Sequence, residues 1–335
     1  MKSDRLAVAF FGLHPDRRRD LLARHGGAGG LVAAVRRGRI VGLDPAALTT
    51  ARQQSEAMER CGVHPVFLGD AEYPVPLAAV ADPPDVLFVQ GRLPIGPCVA
   101  VVGTRRSTAY GRGLARAFGR AIAAAGWVLC SGLARGIDGE AHRGTLDAGG
   151  VGVGVLGCGS DVVYPREHDG LVSGLSTRGA IVTEYPPGTP PHGWRFPPRN
   201  RIISGLSRVV VVVEAAATGG ALVTAARAAE QGREVFAVPG DVDRESSLGC
   251  NLLIRDGAIP VLGAADLIEA LSLVLGPPAP MMVTPDHEIP ASGISKDDLA
   301  VSLGLTGPAM LAWLGRREVS GQVRIEGDQV FPGGR

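Results

Sequence analysis

The residues best placed to do chemistry in this sequence are arginines, and they are spread unevenly. From Val86 to Ile137 there are seven, Arg92, Arg105, Arg106, Arg112, Arg116, Arg120 and Arg135, with no acidic residue among them. A second run, His192 to Arg208 (HGWRFPPRNRIISGLSR), holds four arginines, again without an acid, and interleaves them with Trp194 and Phe196. A guanidinium presents a planar fork of donors that matches phosphate, and an aromatic ring offers any nucleobase a stacking face. Together they suit a polyanionic strand held without reading its sequence. The alternatives are a solvated arginine face on a core helix for the first run, and packing between sheet and loop for the two aromatics. The packing role is preferred for Trp194 and the stacking role for Phe196.

Acid–base and nucleophilic chemistry has weaker support. Asp138 and His142 form an i,i+4 pair on a predicted helix, which suits a cap and a structural hydrogen bond as well as catalysis. Ser131, Ser204 and Ser207 lack a GxSxG context. Glu184 and Glu214 each close a predicted strand, where a carboxylate accepting loop N–H groups is preferred over a ribose or metal ligand. GxxxxGK[ST] does not occur, and the one GxGxxG string, Gly152 to Gly157, falls along the apolar run at 151–156 instead of in a turn that opens a helix, so it supports no dinucleotide fingerprint. The five cysteines, Cys61, Cys98, Cys130, Cys158 and Cys250, form no CxxC pair and read as reduced thiols, neither a disulfide frame nor a zinc site. No metal and no cofactor is expected.

The elements that must position these arginines alternate strand and helix. Apolar runs at 98–102, 127–130, 151–156, 180–183, 208–213, 234–238 and 259–262 read as strands, with helical stretches around 108–125, 138–148, 165–178, 199–206, 220–231 and 265–274. Runs such as RVVVVVE are apolar on both faces and belong inside a parallel sheet. The pattern predicts an α/β fold, a Rossmann-like, doubly wound, mostly parallel sheet. Such sheets bind ligands beyond the carboxyl ends of their strands. Arg105 and Arg135 fall there, as do the glycine turns at Gly103, Gly132 and Gly219-Gly220, whose N–H groups can meet phosphate.

Length and composition set the remaining limits. A chain of 335 residues, 45% hydrophobic, holds a sizeable core and more than one domain. The net charge of +1 means that any anion-binding surface arises from local segregation of charge. No signal-peptide build and no long apolar run is present, so a soluble, cytoplasmic protein without a membrane segment is expected. Residues 1–64 read as a small helical domain, SAM- or helix-hairpin-helix-like, for which a structural cap is preferred over a nucleic-acid contact; 65–275 read as the Rossmann-like domain with an ordered proline-framed connector at its start, 276–293 as a linker and 294–335 as a winged-helix domain. In that last segment five basic groups face five acids, and the helix TGPAMLAWLG has no basic residue. The phosphate attraction that dominates DNA affinity is therefore missing there, which favours a protein-contact or structural role.

The motifs VVGTRRSTAYG, SGLARGIDGEAH, VLGCGSDVVYPREHDGL, TEYPPG, FPPRNRIISGLS, VVVEAAATGGALVTA, VFAVPG and GCNLLIRDGA follow one another in the order and spacing of the DNA-processing protein A family, also called Smf. The resemblance covers about residues 65 to 275 and agrees with the helical and winged-helix flanks. It implies a Rossmann-like, non-enzymatic protein that binds and protects single-stranded DNA, forms a homodimer and loads the RecA recombinase in natural transformation. By position it implies strand-binding roles for Arg105, with Thr104 in place of the family's serine, for Arg166 in the Tyr-Pro motif, and for Phe196, Arg199, Asn200 and Arg201. Two departures stand out: His168 where asparagine is usual and Gly219 where serine is usual. A rival resemblance is to nucleotide-processing phosphoribohydrolases with a PGGxGTxxE motif. The glycines of Thr218-Gly219-Gly220 echo it, but Arg227 stands where its glutamate is needed.

Overall fold

The computed structural model describes residues 2–45, 48, 51–278, 289–290, 292–303, 310, 314–315, 318 and 323–333. They fall into two compact units, Met1–Pro278 and Ala279–Arg335. The first opens with four helices, α1 (Lys2–Ala9), α2 (Pro15–Arg24), α3 (Ala28–Arg36) and α4 (Ala51–Arg60), followed by β1 (Val63–Phe67), a single turn α5 (Val75–Ala78) and β2 (Val86–Gly91). Strict alternation comes next: β3 (Cys98–Val102), α6 (Ala109–Ala124), β4 (Val128–Ser131), α7 (Ile137–Asp147), β5 (Gly152–Val155), α8 (Asp169–Arg178) and β6 (Ala180–Thr183). It continues through α9 (Phe196–Leu206), β7 (Val209–Val212), α10 (Gly220–Glu230), β8 (Glu234–Ala237), α11 (Glu245–Arg255), β9 (Ile259–Pro260) and α12 (Ala264–Leu275).

All nine strands join one sheet in the order β1-β2-β6-β5-β4-β3-β7-β8-β9. From β6 to β9 every pairing is parallel, while β1 and β2 add antiparallel to the β6 edge. The doubly wound, Rossmann-like expectation holds, and the five strands β3 to β7 are buried along their whole length, as their apolar runs require. The sequence reads β1 and β2 only as short extended pieces of a connector framed by Pro74, Pro76, Pro83 and Pro84, not as strands of the sheet. Pro65 is tolerated because β1 is an edge strand: no neighbour waits for its missing N–H. The opposite edge, β9, carries Pro260 in the same way.

The N-terminal helices build a small core on Val8, Leu31, Val32, Val35 and Ile40. They are also fastened to the sheet by buried charge. Arg18 on α2 and Arg201 on α9 converge on Glu184 at the end of β6, with Arg18 Nη2 at 2.8 Å and Arg201 Nη2 at 3.0 Å from its Oε2. Asp82 takes the other side of Arg201, 3.1 Å from Nε. The Glu184 side chain has no exposure at all.

In the second unit β10 (Ile294–Ser295), β11 (Val323–Glu326) and β12 (Gln329–Pro332) form a three-stranded antiparallel sheet ordered β10-β12-β11, with α13 (Lys296–Leu303) following β10. Leu299, Met310, Leu314, Val323 and Val330 make its core. The second helix expected at 307–315 lies outside the described residues except at 310, 314 and 315, as does most of the 276–293 linker.

The charge cluster at Glu184 sets the acid sensitivity of the first unit. Burial pushes the carboxyl up, but the Arg201 and Arg18 guanidiniums prevail and hold it below the usual carboxylate range. A folded-state pKa below the unfolded one, about 4.3, gives stability that is complete above that value and fades as pH falls through it. Glu184→Gln leaves two buried guanidiniums short of a counter-charge and is expected to cost about 3–5 kcal/mol at neutral pH. Urea unfolding should show that gap between wild type and variant narrowing in acid; a gap that is absent at pH 7, or constant with pH, contradicts this role.

Candidate nucleic-acid interface

The strand order reverses at β3. The chain walks from β3 outward through β4, β5 and β6, then returns to the other side of β3 with β7 and continues to β8 and β9. Loops leaving β3 and β7 therefore turn in opposite directions and leave a crevice between them, the place where open α/β sheets bind ligands. The crevice here is a cleft of about 580 Å³. Gly103 to Arg106 line it from the β3 turn, Ala215, Ala216 and Thr218 to Gly220 from the β7 turn, and Phe196, Arg199 and Asn200 from the start of α9.

Its floor is set by close backbone approach. Gly136 has φ of +78°, and a side chain on it would collide with the Thr104 carbonyl oxygen, so only glycine lets the β3 and β4 turns touch. Between β4 and Gly136, Leu133 is buried in the left-handed region at φ of +54°, a strained position for a branched side chain. The turn is held around it. Asp138 accepts N–H bonds from Gly132 at 3.1 Å and Ala134 at 3.4 Å, and His168 Nδ1 lies 3.0 Å from the Leu133 oxygen. Arg199, fully buried, donates to the carbonyl oxygens of Gly132, at 2.8 Å, and Val155. Burial pushes the Asp138 carboxyl above its ordinary value, opposed by the Arg199 guanidinium and the turn's N–H groups. Burial likewise pulls the Arg199 guanidinium down, opposed by Asp138.

The mouth is different in character. Arg105 is exposed, its guanidinium carbon 5.1 Å from the centroid of the Phe196 ring. Tyr164 packs on the same ring, with centroids 5.5 Å apart and an interplanar angle of 32°. Arg105 and Arg106 make no ion pair among the described residues, so their charge is available to a ligand. Thr104 uses its N–H on the Glu214 carbonyl oxygen at 2.7 Å and its hydroxyl on the Arg106 N–H at 3.2 Å. Across the cleft, Gly219 precedes α10 without a side-chain cap, and a Cβ at Gly219 or Gly220 would meet nothing within 4 Å. The first N–H groups of α10 are thus left to whatever enters. Asn200 spans the gap, donating from Nδ2 to the Gly220 oxygen at 3.2 Å.

Several expected site residues sit elsewhere. Arg201 is not at the cleft, because Glu184 and Asp82 engage its guanidinium in the interior. Gly132 lies below the lining, its N–H taken by Asp138 and its oxygen by Arg199. Arg166 is exposed but outside the cleft, two residues beyond Tyr164. Arg199 reaches the cleft floor yet spends Nη1 on backbone carbonyls, so it shapes the site more than it offers charge. Arg135 is ion-paired with Glu167, and Arg116 and Arg120 with Asp147, so the charge of the Val86–Ile137 run is partly cancelled. Trp194 is not a core plug; it keeps 40% of its surface exposed.

The carboxylates and histidines are structural. Glu214 accepts the Thr108 N–H at 2.9 Å, and Asp138 turns to the β4 loop instead of pairing with His142. Burial holds His142 down at about 3, neutral inside α7. His168, the departure from asparagine, is buried against the Leu133 turn and does not line the cleft. Arg227 pairs with Glu230 on the outer face of α10, so no carboxylate takes the place that a phosphoribohydrolase requires. Tyr164, which lines the cleft and packs on Phe196, is not singled out by the sequence; its only signal is the tyrosine-proline pair preceding Arg166.

Among the described residues no helix is long and apolar enough to cross a membrane. The family model for DNA recombination-mediator protein A matches residues 64–272. Among curated proteins, DNA processing protein DprA of Bacillus subtilis is 41% identical over 213 residues, 63% of this chain and 72% of its own length. Protein Smf of Escherichia coli is 46% identical over 216 residues, but the match spans only 58% of that protein. The crystal structure of DprA from Streptococcus pneumoniae superposes with a TM-score of 0.64 at 33% identity, covering 80% of this chain and 93% of that one. DNA processing protein A from Helicobacter pylori, whose structure concerns its single-stranded DNA binding mode, gives 0.57 at 25% identity over 62% of this chain and 95% of that one. The switch-point cleft, the ordered motifs around it and these relatives make the chain a member of the DNA recombination-mediator protein A family.

Proposed function

We propose that this protein binds single-stranded DNA without sequence preference at the switch-point cleft, shields it, and loads a RecA-type recombinase onto it in the cytoplasm during natural transformation or homologous recombination. The observation that carries the reading is the mouth of the cleft. An arginine with no carboxylate partner among the described residues lies over an aromatic pair, Phe196 and Tyr164, beside the open start of α10. Arg105 would take phosphate, Arg166 would meet the backbone just outside, Thr104, Gly103, Gly219 and Gly220 would border the strand, and Phe196 would stack a base. Arg199, Asn200, Arg201 and Gly132 support those groups from below. No catalytic step is assigned, and the protein acts as a homodimer. Its partner face is the apolar surface of α10 and α11 away from the cleft, where Leu248 is exposed.

Binding of fluorescent oligo-dT and of its duplex counterpart at several salt concentrations tests the core of this reading. Wild type should prefer the single strand with a log–log salt slope of roughly −0.7 per phosphate contact. Arg105→Glu should weaken binding at least about tenfold and flatten the slope by roughly one contact; Phe196→Ala should cost about 1–3 kcal/mol with the slope unchanged. Equal affinity for duplex, or an Arg105→Glu variant that binds like wild type, refutes the site. Release of base from a nucleoside monophosphate would instead favour the phosphoribohydrolase chemistry; none is expected. In a recombinase-assembly assay, the protein should speed filament formation on a pre-coated single strand, and Arg105→Glu should not.

The dimer face has its own check. Leu248→Lys places a charge on an apolar surface and is expected to shift the protein from dimer to monomer in sedimentation velocity while keeping a wild-type far-UV spectrum, with an unfolding midpoint that no longer depends on protein concentration. An unchanged sedimentation coefficient would move the interface elsewhere.

A further inference from the structure

The cleft has the volume of a drug-sized site, which suits one or two nucleotides. A protein that follows a strand further needs surface outside it. Such a surface begins where the cleft ends. Gly193 lines the cleft, and its neighbour Trp194 leans outward against the imidazole of His14, the residue that caps α2, with ring centroids 5.3 Å apart and tilted by 35°. The Arg195 guanidinium carbon lies 4.6 Å from the Trp194 centroid. Both rings of the pair stay open to solvent, Trp194 at 40% and the His14 side chain at 42%. One turn along α2, Arg17 donates to the Val41 oxygen at 2.8 Å, tying the helix to the loop that follows α3 and carries Arg37 and Arg39.

Charge on this surface is one-sided. Arg17, Arg36, Arg37 and Arg39 are exposed, and none has a carboxylate partner among the described residues. Asp16 is held by Arg19 and Asp20 by Arg24, each at 2.8 Å, and the other oxygen of Asp16 lies 3.5 Å from His14 Nδ1. An exposed indole–imidazole pair at the rim of a cleft, continued by unpaired arginines, repeats outside the cleft the arginine–aromatic chemistry found at its mouth.

We propose that the DNA strand leaving the cleft stacks a base on the Trp194–His14 pair and runs its phosphates along Arg17 and the 36–39 arginines, making the N-terminal helices a second contact region. This rests on the single-strand reading above. The test uses the full chain with oligo-dT of about 4 and about 20 nucleotides, bracketing one short site and a long path. Trp194→Ala should weaken the long oligonucleotide roughly tenfold and leave the short one unchanged. Trp194→Phe should retain affinity but lose the tryptophan quenching that the long strand causes. Arg37→Glu with Arg39→Glu should flatten the salt slope for the long strand by roughly 0.7 per arginine. If these variants bind both lengths as wild type does while Arg105→Glu abolishes binding, the second region is refuted and the cleft stands. If wild type binds neither length, the single-strand reading itself falls, and this proposal with it.

Discussion

A guanidinium buried beneath a ligand cleft must have its donors met by the protein, and that requirement at Arg199 governs the site. Its partners are main-chain oxygens from two different strand ends, Gly132 after β4 and Val155 at the end of β5. Asp138 secures the same turn from its other side by accepting the Gly132 and Ala134 N–H groups. The two charged groups flank Gly132 so closely that a Cβ there would sit 2.7 Å from Arg199 Nη2 and 2.8 Å from Asp138 Oδ2. Strain at Leu133 is the local cost of this arrangement, and the His168 contact helps to hold it.

The same accounting separates arginines that build the protein from arginines that are free to bind. Arg18, Arg199 and Arg201 are interior and satisfied; Arg116, Arg120 and Arg135 are surface residues answered by acids from later in the chain. Among the described residues, Arg105 and Arg106 are left without a carboxylate at the cleft mouth and Arg17, Arg36, Arg37 and Arg39 among the N-terminal helices, while Arg92, Arg178 and Arg208 lie away from the cleft. A chain with a net charge of only +1 thereby presents a local positive surface.

The alternation of apolar runs and helical periods made the sheet legible in the sequence, because a strand buried on both faces has few other ways to be written. The turn glycines and Arg105 were legible for a related reason: position at a strand end already implies proximity to the crevice. Ion pairing was not. Glu184 meets Arg18 across 166 residues and Arg135 meets Glu167 across 32, so no local pattern announces that Arg201 and Arg135 are spoken for. Trp194 was misread because a bulky aromatic near a sheet is usually core, and its exposure depends on where α2 lies. β1 and β2 were hidden by the prolines around them, and Pro65 inside β1 is compatible with the sheet only because that strand is its edge.

The polar groups lining the cleft also bear on why sequence would go unread there. Reading a base needs directional donors or acceptors aimed at its edge. Asn200 is the best-equipped lining residue for that, but its Nδ2 is given to Gly220 and its Oδ1 accepts from Arg199 at 3.3 Å. Asp138 is turned into the β4 loop and Thr224 back onto the Gly220 oxygen of its own helix. Apart from the Thr218 hydroxyl, the groups left unspent are guanidiniums, helix-start N–H groups and aromatic faces, which suit phosphates and the π-surface common to all four bases. Under the single-strand reading, indifference to sequence follows from what the fold has already consumed.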